Sequence, residues 1–164
     1  MFIRSGSNRF VIVCEDFVIK IAKIRFILAT KIILDYISGK IQKTEAQKNK
    51  SLLRIFFGTA LNGIVSNIVE YKYSISHQND HRIFHTCFCF FGIFNIQERG
   101  SEIEFIESWP NWYKQIQNPK EIDLFLPKQF GLDMFEKIRI VDYGHKATIT
   151  VLKSTMEKSY RQCG

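Results

Sequence analysis

The sequence predicts an α+β domain, and three observations carry that expectation. Short runs of branched and aromatic residues, Phe10 to Val13 and Phe17 to Ala22, alternate with period two near the start, as strands do. Residues 24–75 are instead rich in helix formers and apolar residues at helical spacing. Strand-like runs then return at 82–96 and 139–141. With 164 residues, 46% hydrophobic and 24% charged, the chain suffices for one domain with a core or two small lobes.

Taken in order, residues 1–23 read as strand, turn and strand, with Ser5-Gly6-Ser7 turning before the run at Phe10 and Cys14-Glu15-Asp16 turning after it. Residues 24–60 read as helical and basic, broken at Ser38-Gly39, with Thr44 as the N-cap of a helix over 44–57. A further helix is predicted over 63–75, where Ile64, Ile68, Tyr71 and Ile75 form the apolar stripe and Asn67 and Glu70 fall off it. His77 to Asp80 is a turn, and residues 82–100 give two strands split near Gly92 that end in the polar Gln97-Glu98-Arg99-Gly100. Residues 101–121, marked by aromatics and proline, read as a loop with a short helix. A strand near Gln129-Phe130, a turn at Gly131 to Asp133 and a strand from Arg139 to Val141 follow, stopping at Asp142-Tyr143-Gly144. The last twenty residues are one more short strand or helix and a basic tail.

A net charge of +7 favours an anionic partner, although a solvated basic surface accounts for it equally well. Cys87 and Cys89 alternate with Phe88 and Phe90 and read as small buried hydrophobes. No disulfide spacing, secretory signal or uninterrupted apolar span is evident, so the expectation is a protein of a reducing compartment with no membrane span. His77, His81 and His85, followed by Cys87 and Cys89, raise zinc, but a strand starting at Arg82 would break the helical face that this spacing needs. The "WPNWY" cluster at 109–113 raises nucleic-acid stacking and equally suits a packed loop. No nucleophile, histidine and acid stand in an order that suggests hydrolase chemistry.

What remains is an ordered polar series: Ser5-Gly6-Ser7 before a strand, Lys20 inside the next, Glu70 on a helix, the polar stretch 97–100, then Asp123, Gln129 and Asp142. Over residues 5 to about 144 this order resembles the protein kinase-like fold. In that family a glycine-rich turn covers the ATP phosphates, a strand lysine grips them and a helix glutamate holds the lysine. The family also separates a magnesium-binding Asn from the Asp of its Asp-Phe-Gly turn by thirteen positions, as Gln129 is separated from Asp142 here.

The resemblance implies a two-lobed α+β fold, with an antiparallel N-lobe sheet over about 1–97 and a reduced C-lobe over about 98–164. It implies ATP and magnesium as cofactors and a protein hydroxyl as phosphoryl acceptor. Lys20 would hold the phosphates beneath Ser5, Gly6 and Ser7, with Glu98 in the hinge beside the nucleotide. Glu70, or Glu45 in competition with it, would anchor Lys20; Gln129 and Asp142 would bind magnesium; Asp123 would orient the hydroxyl. The chain departs from the family in keeping one glycine of the loop, in lacking a His-Arg pair before Asp123, and in setting Asp123 one position out of register with Gln129. Twenty residues follow Gly144, which implies a minimal member acting in the cytoplasm, or in a host cytosol as an effector. The alternatives are a catalytically inactive pseudokinase that works by protein contact, a basic nucleic-acid-binding module, and a Lys20 that points to water from an edge strand.

Overall fold

Three strands open the chain: β1 (Phe2–Ser5), β2 (Arg9–Val13) and β3 (Phe17–Ala22). In this computed structural model, residues 1–42, 50–103, 110–114, 129–144 and 148–153 are described. Gly6 N–H donates to the Arg9 carbonyl at 2.9 Å and closes the first turn, and Cys14 N–H closes the second on Phe17 at 2.9 Å. Helices α1 (Phe26–Ile37), α2 (Leu52–Ala60) and α3 (Asn62–Ser76) follow. Next come β4 (Thr86–Phe90), β5 (Phe94–Glu98), β6 (Ser101–Glu102), α4 (Asn111–Lys114), β7 (Phe130–Leu132) and β8 (Ile138–Ile140). Residues 148–153 are helical.

The larger sheet has five antiparallel strands in the order β1-β2-β3-β5-β4, and the smaller has three in the order β6-β7-β8. Strand β3 is therefore central, with Lys20 between Val11 of β2 and Asn95 of β5. That placement, with Lys20 only 2% exposed, rules out the edge-strand alternative. A parallel bridge between Ile83 and Ile140 ties the segment that leads into β4 to the smaller sheet. The apolar core lies there: Tyr73, Ile83, Tyr113, Phe130, Ile140, Tyr143 and Leu152 pack together.

Several elements differ from expectation for identifiable reasons. Helix α2 starts at Leu52 because the Ser51 hydroxyl accepts from Arg54 N–H; the expected cap Thr44 and the competitor Glu45 lie outside the described residues. The turn expected at Gly131 to Asp133 falls later, at residues 134–136, because the Asp133 carboxylate accepts from Phe135 N–H at 2.8 Å and Lys137 N–H at 2.9 Å. Gly131 and Leu132 remain in β7. Cys87 is exposed and Cys89 half-buried rather than core, since β4 is an edge strand whose side chains have a neighbour on one side only.

The buried face of α3 carries Gly63, Asn67, Glu70, Tyr73 and Ser74, whereas Ile75 is 50% exposed and Ile64, Ile68 and Tyr71 are half-buried. The predicted apolar stripe is thus not the buried face of the helix, although its Ile64 and Ile68 lie against Gly92 between β4 and β5. A polar face turns inward because the sheet surface it meets is itself polar, with Arg9, Lys20, Asn95 and Gln97 all buried. Among the described residues, no single helix is long and apolar enough to cross a membrane. Helices α2 and α3 would pass that test only as a pair, and they are bent by 69° at their junction.

Candidate functional site

The inward polar layer converges on one cleft. Period-two alternation puts Arg9, Val11 and Val13 of β2 on the face that also carries Lys20 of β3. Helix α3 crosses beneath this face and delivers Asn67 and Glu70 one turn apart. The segment that follows β8 brings Asp142 from the far end of the chain. A cavity of about 880 Å³ opens between the Ser5–Asn8 turn, β2, Lys20, the Arg99–Ser101 segment, Gln129 and Asp142. That volume lies within the range of small-molecule sites.

Lys20 is bound on two sides: its ammonium donates to Glu70 Oε1 and, at 2.7 Å, to the Val141 carbonyl. The expected lysine–glutamate pair therefore exists, with Glu70 as its acid. Arg9 forms a second bridge. Its Nη1 donates to Glu70 Oε2 and, at 3.2 Å, to Asn67 Oδ1, while Nη2 donates to Asp142 Oδ1. Asn67 is fixed in turn by donating to the carbonyls of Gly92 at 2.9 Å and Lys20 at 3.2 Å. Arg9 and Lys20 thus face Glu70 and Asp142 as two cations and two anions. Removing Glu70 would leave buried cations underpaired, which is the costly way to break such a network.

The charges follow this geometry. Desolvation by the surrounding cleft opposes the Asp142 carboxylate, although its side chain is 46% exposed, but Arg9 and Lys20, with hydrogen bonds from Arg9 and the Gly144 backbone, hold its pKa down to about 2. Burial lowers the Lys20 pKa; Glu70 works against that shift and Arg9 adds to it. For Arg9, burial is outweighed by Asp142 and Glu70, and the pKa stands above its ordinary value.

Two glycines permit the close packing. A Cβ on Gly63 would meet the Asn8 carbonyl at 2.4 Å, so the first turn of α3 can lie against the Ser5–Asn8 turn. A Cβ on Gly144 would meet the Ser66 carbonyl at 2.7 Å and Glu70 Oε2 at 3.2 Å, so the Asp142 turn can lie against α3. Tyr143 anchors that turn from below. It is fully buried, its hydroxyl donates to the Phe84 carbonyl at 2.8 Å, and its ring meets Tyr73 edge-on.

The other expected site residues divide. Ser5, Gly6, Ser7 and Gln129 line the cavity, and the Gln129 carbonyl accepts from Val141 N–H at 2.8 Å. Lys23 secures the turn by donating to Ser5 Oγ at 2.6 Å and to the Gly6 carbonyl at 2.7 Å. Of the polar stretch 97–100, Arg99 and Gly100 line the cavity, while the Glu98 carboxylate accepts from His85 N–H at 3.0 Å. Asp123 lies outside the described residues, as does Trp109 of the aromatic cluster. The histidines and cysteines proposed for zinc form no group: among the described residues no three His, Cys, Asp or Glu side chains converge as a metal site would require.

Arg9 was missed in the sequence, although counting by twos along β2 from Val11, the partner of Lys20, reaches it. Its position bears on magnesium. Asp142 Oδ1 already accepts from a guanidinium, and Gly144 N–H donates to the same carboxylate. A divalent ion about 4 Å from that guanidinium would be opposed by about 8 kcal/mol at an effective dielectric of about 20. Magnesium at Asp142 would therefore require Arg9 to move off the carboxylate. Cations, a serine-rich turn and the apolar Val11, Val13, Ile103 and Phe130 line the same cavity.

No protein-family model, curated protein or solved structure matches the chain.

Proposed function

We propose that this chain is a protein kinase-like domain that holds ATP in the cleft, with residues about 1–97 as N-lobe and the residues after them in the C-lobe, and acts as a pseudokinase through contact with a protein. The observation that supports it is the buried pair of Lys20 on a central strand and Glu70 on the helix behind it, beside the Asp142-Tyr143-Gly144 turn. Strand lysine, helix glutamate and terminal Asp-aromatic-Gly stand in the order that the kinase-like resemblance requires. The pairing of Arg9 with Asp142 favours the non-catalytic form.

Phosphoryl transfer to a protein hydroxyl is the second reading, favoured by the assembled Lys20–Glu70 pair. It requires Arg9 to release Asp142, so that Asp142 and Gln129 could hold magnesium, and it requires Asp123 as the orienting acid.

A thermal melt with ATP, in the presence and absence of magnesium, tests the binding reading. Ligand at a hundred times its dissociation constant stabilises by about 2.7 kcal/mol. Wild type should show the shift and Lys20→Met should lose it. No shift in either condition would overturn the reading. Radiolabelled ATP offered with a host lysate separates the two forms. Labelled protein from wild type, reduced about 10²–10⁴-fold by Asp123→Asn, would establish transfer.

A further inference from the structure

Arg9 takes up the position in which a counter-cation for Asp142 is needed, and its surroundings are built to keep it there. It is 7% exposed, inside a sheet, with Glu70 and Asn67 holding one edge of the guanidinium and Asp142 the other. The two carboxylates are not equivalent. Glu70 is fully buried, with Lys20 on its second oxygen, whereas the Asp142 side chain is 46% exposed at the cavity. Asp142 is therefore the exchangeable partner and Glu70 the permanent one. Guanidinium groups take phosphate oxygens in the same forked geometry as carboxylates. An entering phosphate chain can replace Asp142 on the outer edge of Arg9, with Lys20 on the same cavity; Arg4, paired with Glu102, and Arg99, bound to the Cys14 and Glu15 carbonyls, line it further out.

Resting on the ATP-binding reading, we propose that Arg9 replaces the divalent metal, so that the cleft binds a nucleoside triphosphate as its metal-free anion. Within the group of Arg9, Lys20, Glu70 and Asp142 the charge of Asp142 is already met by Arg9 without a metal, and a magnesium ion placed at Asp142 would carry two positive charges toward that guanidinium. Displaced Asp142 keeps access to water because its side chain is already partly exposed.

The test compares ATP affinity in EDTA with affinity in excess magnesium, by titration calorimetry on the whole chain. The expected result is binding in EDTA at least as tight as in magnesium. Arg9→Gln should weaken the EDTA affinity tenfold or more. Asp142→Asn should tighten it several-fold, because the phosphates no longer compete with a carboxylate for Arg9. Should Arg9→Gln fail to fold, the Asp142→Asn result decides: unchanged or weaker ATP binding in EDTA would overturn the proposal. Binding that appears only with magnesium would also overturn it while leaving the ATP-binding reading intact. No binding in either condition would remove that reading, and the proposal with it.

Discussion

Arg9 and Asp142, separated by 133 positions in the chain, are joined by an ion pair at the mouth of the cleft. The pair links the second strand of the larger sheet to the turn after the last strand of the smaller one. Glu70 holds the other edge of the same guanidinium. The charge state of Asp142 is thereby coupled to the packing of β2 on α3.

Acid should release that coupling. The Asp142 pKa is about 2 in the folded chain against an ordinary 3.8, so its stabilising contribution is complete above pH 3.8 and is lost as pH falls toward 2. Because the side chain is 46% exposed, the contribution is discounted to on the order of 1 kcal/mol. Denaturant unfolding at intervals between about pH 5 and about pH 2 should show wild type losing that much more than Asp142→Asn. Parallel curves would mean that Arg9 does not hold this carboxylate in solution.

The Lys20–Glu70 pair should be visible as a coupling energy. Glu70→Gln removes the anion shared by two buried cations and should cost about 3–5 kcal/mol. Lys20→Met should cost less, because Arg9 keeps Glu70 paired. In the double variant the two losses should fall short of their sum by about 1–3 kcal/mol. Strict additivity in urea unfolding at neutral pH would show that the two side chains do not interact.

Much of this arrangement was legible in the sequence where one residue dominates its environment. Lys20 in the middle of an apolar strand had to meet an anion, and Phe17 to Ala22 formed the strand expected. The sequence also offered the abrupt stop before Asp142-Tyr143-Gly144: β8 ends at Ile140, the backbone bends at Val141, and 142–144 are neither strand nor helix. The face of α3 was not legible. Apolar periodicity favours Ile64, Ile68 and Ile75, but the surface across from the helix carries Arg9, Lys20, Asn95 and Gln97, so Asn67 and Glu70 turn inward instead. Which stripe of an amphipathic helix is buried depends on what it meets, and a single segment does not contain that information. Arg9 escaped notice for a related reason, since its partners come from α3 and from the turn after β8, both distant in the chain.

Gly144 should tolerate no side chain. In Gly144→Ala the new methyl would meet a backbone carbonyl of α3, that of Ser66, at 2.7 Å, which leaves the turn as the element that moves. The expected loss is about 1–3 kcal/mol, typical of overpacking. Movement of the turn would also withdraw Asp142 from Arg9, so the acid dependence of stability should flatten in the same variant. A Gly144→Ala chain with wild-type stability and an unchanged acid limb would contradict the packing of this turn on α3.

The polar layer between α3 and the larger sheet also sets how stability responds to temperature. Hydrating apolar surface raises the heat capacity on unfolding, whereas hydrating polar surface lowers it. The cluster around Ile83, Ile140 and Leu152 contributes with the first sign, and the layer of Arg9, Lys20, Asn67, Glu70, Asn95 and Gln97 with the second. The two contributions oppose each other, so the free energy of unfolding bends less with temperature than it would for a chain of this length with an apolar layer behind its main sheet. The site's own residues flatten that curve.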